Sequence, residues 1–479
     1  MSAGPGQDAL AVARAALAGT PAWLVGGAVR DRLLGRDAGA DLDLAVGGDV
    51  EAAARALARA ARAAVFPLSE AFGAWRVVAR RAGWQADLAP LAGATIEDDL
   101  RRRDFTVNAI AEPLAGGDLV DPTGGRDDLA ARRLRMAGAQ AFADDPLRVM
   151  RLPRFAVELG LEPDPGTVAA AAAAAPGLAG VAPERVFAEL RRIVGADDPV
   201  RGLALMERVG ATAVVLPELV ALRGVEQSVY HHLDVHDHTI EVLAATVRLE
   251  RDPAALLGED HGAAIARRLA EPFGDELTRG TALRFGALLH DVAKPQTRDV
   301  TDSGRVTFYD HDAQGAELAR QVLTRLRTSD RLRTHVAALT RHHLRLGFLV
   351  HEQPLSRRAE HRYLRATTPV AVDVTLLSVA DRLATRGRKA DEAIAKHLAL
   401  ARELIGPALA WEADGPPRPL VRGDALARAL GIRPGPRLGP LLAELEAAQY
   451  AGEVTTAEEA VAHARAVVAD EEAGGAAGA

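Results

Sequence analysis

The chain has 479 residues, 48% of them hydrophobic and 26% charged, with a net charge of −7. Such a length exceeds one ordinary core and predicts two to four globular domains. Cysteine is absent, which excludes disulfides and thiolate metal sites, so any bound metal must rest on His, Asp, Glu or water.

Residues 1–140 read as mixed α/β. A helix over about Asp8 to Leu17 leads into a short apolar strand, Ala22 to Val25. Gly26-Gly27 then opens a helix running through Arg30 to Leu34, and a second strand follows at Leu42 to Val46. An Ala-rich helix starts at Val50, and further strands are predicted at Trp75–Ala79 and Trp84–Leu88. From Asp145 to about Val467 nearly everything has helical periodicity broken by Pro and Gly. Pro-rich Asp414–Pro419 reads as a linker, and residues 471–479 as a disordered tail. No apolar run reaches the roughly 18 residues of a membrane span, and Met1 to Gln7 lack a basic region followed by an apolar stretch. A cytoplasmic protein without a membrane partner is expected.

The negative net charge does not exclude nucleic acid, because binding follows local patches. Arginines cluster at Arg101–Arg103, at Arg132, Arg133 and Arg135, at Arg148, Arg151 and Arg154, and at Arg191 and Arg192. Each cluster reads equally as a solvated helix face or as a phosphate contact.

In Leu24-Val-Gly-Gly-Ala-Val-Arg-Asp31 a strand ends, two glycines turn and a helix begins. Glycines let backbone approach a ligand, and a helix N-terminus offers free N–H groups to phosphate. Arg30, one turn in, is placed to donate to a phosphoryl oxygen. Asp41 and Asp43, two apart on a strand, share one face. Paired carboxylates repel unless a cation such as Mg²⁺ neutralises them, and two metals so held can activate a 3′-hydroxyl and stabilise leaving pyrophosphate. Asp87, in a later strand, is either a third carboxylate or a strand-end residue.

Gly26-Gly-Ala-Val-Arg-Asp31, Asp41-Leu-Asp43, Arg102-Arg-Asp-Phe-Thr-Val-Asn-Ala109 and Asp121-Pro-Thr-Gly-Gly-Arg-Asp-Asp-Leu129 come in order across about 100 residues. Together they resemble the motifs of the class II tRNA nucleotidyltransferase and bacterial poly(A) polymerase family. The resemblance implies a polymerase-beta-like head in which Asp41 and Asp43 hold the catalytic Mg²⁺, with Asp87 still the candidate third catalytic carboxylate. It places Gly27, Arg30 and Arg103 at the nucleotide and Asp104 and Asn108 at its ribose, with Gly26 and Asp31 of the first motif as further candidates for nucleotide binding.

Asp144-Asp-Pro-Leu-Arg-Val-Met-Arg151 follows, with Pro146 suited to a first helical turn. Asp145 and Arg148, three apart, are expected on one face, either as a surface ion pair or as a base reader. A carboxylate accepts from an amino group while guanidinium donates to a ring nitrogen. Such a pair accepts C and A and refuses G and U without a template. The family uses Glu-Asp-x-x-Arg here; Asp144 replaces the Glu, and Pro153 introduces an unusual kink point. Arg151 and Arg154 extend the expected nucleotide contacts.

All 14 histidines lie between His231 and His463, which marks a separate module. His290-Asp291 ends an apolar helix, Leu283 to Leu289, with His238 upstream and Asp381 downstream. This set resembles the HD superfamily of metal-dependent phosphohydrolases. The resemblance makes His238, His290, Asp291 and Asp381 ligands of a divalent transition metal, Mn²⁺, Fe²⁺, Co²⁺, Ni²⁺ or Zn²⁺. His311, His342 and His343 extend the set toward a second ion or are ordinary helix residues, and His231, His232 and His236 read as local structure. Beyond Trp411, Arg422-Gly-Asp-Ala-Leu and Gly431–Leu442 resemble the C-terminal region of HD-containing family members.

The expected fold is α+β. A nucleotidyltransferase head (1–140) with a mixed sheet is followed by a helical neck (141–228), an all-α HD domain (229–405), a helical C-terminal region (406–470) and the tail (471–479). The resemblance implies CMP and AMP transfer from CTP and ATP to the tRNA 3′ end. The alternatives are an A-only or poly(A)-adding enzyme, and an HD phosphohydrolase whose head only binds RNA. The oligomeric state stays open.

Overall fold

The computed structural model describes residues 5–476 apart from 38, 70, 71, 229, 230 and 388. The chain divides into two compact units, Met1–Val215 and Leu216–Ala479. The expected head and the expected neck as far as Val215 fall in the first unit, and residues 216–228 of that neck fall in the second.

In the first unit, α1 (Pro5–Ala16), β1 (Ala22–Val25), α2 (Gly27–Leu33), β2 (Asp41–Val46) and α3 (Val50–Ala61) follow the expected order. Then come β3 (Ala64–Ser69), β4 (Ala74–Ala79), β5 (Trp84–Pro90), α4 (Ile96–Arg101) and β6 (Ala111–Pro113). The strands form one mixed sheet in the order β3-β4-β5-β2-β1-β6. β2 and β5 run parallel, and their neighbours pair antiparallel. Alternation on β2 sends Leu42 and Leu44 into the core and leaves Asp41 and Asp43 on the other face. The core face meets Ala53, Ala54 and Leu57 of α3, whose start is capped by Asp49 accepting from the Ala52 N–H.

β3 and β6 are absent from the sequence reading. β3 is an edge strand with Phe66 and Leu68 exposed, so it lacks a buried alternating face. β6 is only three residues long.

A short 3₁₀ turn, Thr106–Asn108, connects to α5 (Gly125–Ala130) through a buried polar knot. The Asp128 carboxylate is fully buried and accepts from Thr106 Oγ1 at 2.7 Å, Arg133 Nε at 2.6 Å and Arg135 Nε at 3.0 Å. Burial alone would raise its pKa, but these donors overrule it and hold it below the usual carboxylate range. Asp121 accepts from the Gly125 and Arg126 N–H groups at the start of α5. The Asp-Pro-Thr-Gly-Gly motif is therefore a structural knot.

The remaining helices of this unit include α6 (Ala141–Asp144), α7 (Arg148–Leu159), α8 (Pro165–Ala174), α9 (Pro183–Gly195) and α10 (Pro199–Arg208). α7 runs unbroken through Pro153 and buries Val149, Leu152, Phe155 and Ala156. Asp145 does not share a helical face with Arg148. It sits between α6 and α7 in extended conformation, φ −149° and ψ 101°, because Pro146 disfavours helical backbone in the residue before it.

Among the described residues, the regular structure of the second unit is helical apart from the hairpin Arg298–Val300 with Val306–Phe308 and an isolated bridge between Pro272 and Thr278. Helices Val235–Arg251, Arg279–Leu289, Asp330–His342 and Ala371–Ala384 share a core that includes Val242, Leu283, Leu339 and Leu376. After Asp414 the chain is non-helical up to Gly423, as expected for a linker. Three last helices then pack around Leu426, Leu441 and Leu445. The final helix, Ala457–Ala476, continues through most of the segment expected to be disordered, since Ala and Glu are strong helix formers; residues 477–479 lie outside the described ones. Among the described residues, no helix is long and apolar enough to cross a membrane.

Gly125 is the tightest point of the knot, since a Cβ there would stand 2.1 Å from the Thr106 carbonyl oxygen. Gly125→Ala should destabilise the first unit by about 1–3 kcal/mol. A urea unfolding curve with an unchanged midpoint would contradict this.

Candidate functional site

The first site is built on sheet register. Asp43 on β2 lies directly opposite Asp87 on β5, with Asp41 two residues before Asp43 on the same face. Asp87 is thus a third carboxylate of the row. Arg76 on β4 is Asp87's register partner, and its Nε and Nη2 each donate to an Asp87 oxygen at 2.7 Å. The Asp43 side chain is open to solvent but walled by protein on most sides. Desolvation first, then the charge of Asp87, raises its pKa, while Arg103 opposes this. Crowded carboxylates held at this cost fit a cation.

The Gly-Gly turn meets the row at close range. Gly26 has φ 71° and ψ −134°, a conformation suited to glycine, and starts α2. A Cβ on it would lie 3.4 Å from Asp43 Oδ2 and 3.5 Å from Arg103 Nη1. Gly27 lies against the Arg30 guanidinium, where a Cβ would stand in ordinary contact at 3.5 Å. Arg30 is buried; it grips Asp31 through Nε and Nη2 and donates from Nη1 to Asn108 Oδ1 at 2.6 Å. Asn108 in turn donates to Asp104, which also pairs with Arg151 at 3.0 Å. Burial works against the Asp104 charge, but Arg151 leads the groups that keep its pKa low. Arg103 donates to Asp99 of α4. The glycines, Arg30, Asp31, Arg103, Asp104, Asn108 and Arg151 therefore form one connected cradle beside the carboxylates.

Three residues depart from expectation. Arg154 turns into the neck and forms a buried pair with Glu189 at 2.8 Å, so its charge serves packing there. Burial lowers its pKa to about 10. Asp145 and Arg148 are not hydrogen-bonded to each other. Asp145 accepts from Arg185 of α9 at 2.9 Å, whereas Arg148 donates to the Ala141 carbonyl at 2.9 Å. Arg148 Nε is buried with no hydrogen-bond partner. The sequence reading missed Arg76 and Arg185. Strand alternation gives a signal for Arg76, but none marks Arg185, 40 residues from its partner.

The second site collects residues from several helices and one helix start. His238, His290 and Asp381 form one group able to hold a metal ion, and Asp291, His311 and His343 another. Asp291 lies between them: its Oδ2 is 3.1 Å from His290 Nε2 and 3.7 Å from His238 Nε2, and its Oδ1 is 3.5 Å from His311 Nε2 and 3.7 Å from His343 Nε2. His238 Nε2 stands 3.1 Å from Asp381 Oδ1. Three of these histidines spend Nδ1–H on the carbonyl three residues earlier: His290 on Ala287, His311 on Phe308 and His343 on Thr340, at 2.6–2.8 Å. That choice leaves Nε2 as the lone-pair donor toward the cluster. His290 Nε2, His311 Nε2 and Asp291 Oδ1 are buried without a hydrogen-bond partner. Converging, unsatisfied nitrogen and oxygen donors fit a divalent transition metal.

Burial would raise Asp291, but His290 and Lys294 hold it well below the ordinary range; Lys294 Nζ is 2.7 Å from its Oδ2. His343 is pushed down to about 4, chiefly by burial. His342 does not join. Its neighbour in the helix faces the cluster, and a one-residue step rotates it away, where it accepts from Arg345 Nε at 2.8 Å. His232 is exposed and His236 sits against Asp237 at 2.9 Å. His231 lies edge-on to His238, with ring centroids 5.2 Å apart. A cavity of about 670 Å³ opens over the cluster, and Lys294, Arg305, Arg382, Lys389 and Lys396 line it.

Comparison with known proteins follows the same division. Residues 22–135 match the poly(A) polymerase head domain, 160–222 the probable RNA- and SrmB-binding site of polymerase A, and 235–386 the HD domain. An A-adding tRNA nucleotidyltransferase of Deinococcus radiodurans is 40% identical, covering 92% of this chain and 94% of that protein. A CC-adding tRNA nucleotidyltransferase of Thermus thermophilus is 35% identical, covering 92% of each. The structure of a CCA-adding enzyme in an apo form shares the fold with TM-score 0.65 and 19% identity, covering 96% of this chain and 93% of that one. The chain belongs to the tRNA nucleotidyltransferase and poly(A) polymerase family.

Asp43→Ala removes the central carboxylate of the row. Nucleotide addition should fall on the order of 10³-fold or more, ~4 kcal/mol of barrier, with tRNA binding and the unfolding midpoint unchanged. Incorporation within tenfold of wild type would overturn the assignment of Asp43.

Proposed function

We propose that this chain extends or repairs the 3′ end of tRNA without a template, transferring CMP and AMP from CTP and ATP. The observation that carries this reading is the carboxylate row Asp41, Asp43 and Asp87 set against the Gly26–Gly27 turn. Asp41 and Asp43 would hold Mg²⁺, which when bound supplies charge neutralisation for the attacking 3′-oxygen and the leaving pyrophosphate. The α2 start and Arg103 orient the triphosphate, while Asp104 and Asn108, already locked to each other, present acceptors to the ribose. A-only addition is the second reading, favoured by the 40% identity to the A-adding relative. Offering tRNAs that end before CCA, after C and after CC, with each NTP singly, separates the two. Failure to extend any of them would sink both.

Base choice is assigned to Asp145 and Arg148. Arg148 donates to the ring nitrogen that accepts in C and A, and Asp145 accepts from their amino group. G and U present the reverse polarity, a mismatch of about 1–3 kcal/mol per group. Asp145→Ala should lower C and A incorporation and raise the relative incorporation of U or G by about one power of ten. A slower enzyme with unchanged preference among four NTPs would reduce Asp145 to a structural partner.

The second unit is proposed to be a metal-dependent phosphohydrolase. His238, His290, Asp291 and Asp381, joined by His311 and His343, would hold one or two ions of Mn²⁺, Fe²⁺, Co²⁺, Ni²⁺ or Zn²⁺, which when bound supply an activated water. Lys294 and the cationic cavity lining are placed for a phosphoryl group. Saturating Mn²⁺ or Co²⁺ should raise the melting temperature of the metal-stripped protein by roughly 5–10 °C. His290→Ala with Asp291→Ala should lose that shift and any phosphatase activity while keeping nucleotide addition. A folded double variant that no longer adds nucleotides would refute the separation of the two sites.

A further inference from the structure

The carboxylate row does not end at Asp87. Register carries it on: Asp43 faces Asp87, Asp87 faces Arg76, and Arg76 faces Phe66 of the edge strand β3. Directly paired residues project on the same face of a sheet, so these four side chains form one line. With strands about 4.8 Å apart, Phe66 lies roughly 10 Å from Asp87 and roughly 14 Å from Asp43.

The two halves of that face differ. On the β1 side it is covered by α4 and the 3₁₀ turn, around Ile96, Leu100 and Ala109, and there the nucleotide cradle sits. On the β4–β3 side it is open at Phe66, which is 43% exposed; Leu68 and Phe72, beyond it in the register shift and the turn, are exposed as well. An apolar sheet edge of this kind ordinarily invites another strand. Here Pro67 removes a donor from β3, and a register shift between Pro67 and Ser69 bends it. The exposed ring is therefore presented on an edge that is built against strand pairing.

We propose that the Arg76–Phe66 strip receives the 3′-terminal nucleotide of the acceptor RNA, its base stacked on Phe66 and its phosphate near Arg76. This rests on the nucleotidyl-transfer reading. In phosphoryl transfer the attacking and leaving oxygens lie roughly in line. With the triphosphate on the β1 side of Asp43, the attacking 3′-hydroxyl arrives from the opposite side, over Asp87 and Arg76. A flat aromatic face about one nucleotide beyond Asp87 suits a base of any identity, because every base has a π-face. Arg76 spends Nε and Nη2 on Asp87. Its Nη1 is the guanidinium nitrogen left for a phosphate oxygen. Arg76 thus positions Asp87 and, on this proposal, the acceptor as well.

Phe66→Ala, Phe66→Leu and Phe66→Trp test the idea, assayed with a transcribed tRNA truncated to an end that wild type extends. Ala and Leu should raise the acceptor KM about 5- to 100-fold, the range expected for losing one base–aromatic stack. The KM for the NTP and the kcat at saturating tRNA should stay within about twofold, and Trp should restore wild-type values. Leu keeps the apolar bulk but not the ring face, so it separates stacking from packing. Wild-type acceptor KM in the Ala and Leu variants overturns the proposal, as does a change confined to the NTP or to self-association. If wild type extends no tRNA, the nucleotidyl-transfer reading itself has failed and the proposal falls with it.

Discussion

The head depends on the in-register parallel pairing of β2 and β5. That pairing sets Asp43 beside Asp87 and puts both on the face that carries Asp41. Burial works against the Asp43 charge and the like charge of Asp87 adds to the cost, so the Asp43 pKa is raised. The sheet offsets part of it from the other side, with Arg76 at the next register position binding both oxygens of Asp87. A one-residue slip of β2 would turn Asp41 and Asp43 into the core and Leu42 and Leu44 outward. The burial of Leu42 and Leu44 in the core therefore holds the site in register. Gly26, Arg103 and the Arg30–Asn108–Asp104 chain then take their places relative to that row.

The second unit meets the same problem by other means. The candidate metal-ligating groups of the head row are the carboxylates Asp41, Asp43 and Asp87, which suit a hard cation. The HD site mixes imidazole with carboxylate, which suits a transition metal. Carboxylates need only proximity, but an imidazole must choose a tautomer. His290, His311 and His343 make that choice locally, each against a carbonyl three residues back, before any distant contact forms. Asp291 is then the common centre, kept ionised by its histidines and Lys294 despite full burial.

What the sequence made legible follows from these devices. Asp41 and Asp43 could be read because strand alternation is a local rule, and Asp291 because it ends an apolar helix beside His290. Asp87 stayed ambiguous since its place in the row comes from pairing across 44 positions, which no local pattern records. β3 was missed because its apolar side chains are exposed and carry no core-facing period. His342 was drawn in by adjacency to His343, although neighbouring helix residues point about 100° apart. Arg154 looked like one more cation near the nucleotide; only the fold supplies Glu189 as its buried partner.

The intended base readers are the most instructive case. A self-contained Asp145–Arg148 pair would satisfy both groups, and an incoming base would first have to break it. The fold separates them instead. Pro146 keeps Asp145 out of α7, and Arg185 in the first turn of α9 holds it from another direction. Arg148 is anchored through Nη1 to the Ala141 carbonyl, with the Arg103 carbonyl 3.4 Å away. Its Nε is left buried without a partner. A buried donor left unmade costs about 1–3 kcal/mol. On the proposed reading, Arg148 would re-aim to bring a donor to the base, and an acceptor nitrogen would reward that shift where a ring N–H would not. The same contact near Arg103 ties Arg148 to the residue beside Gly26, so base and triphosphate would be sensed through one short stretch of chain.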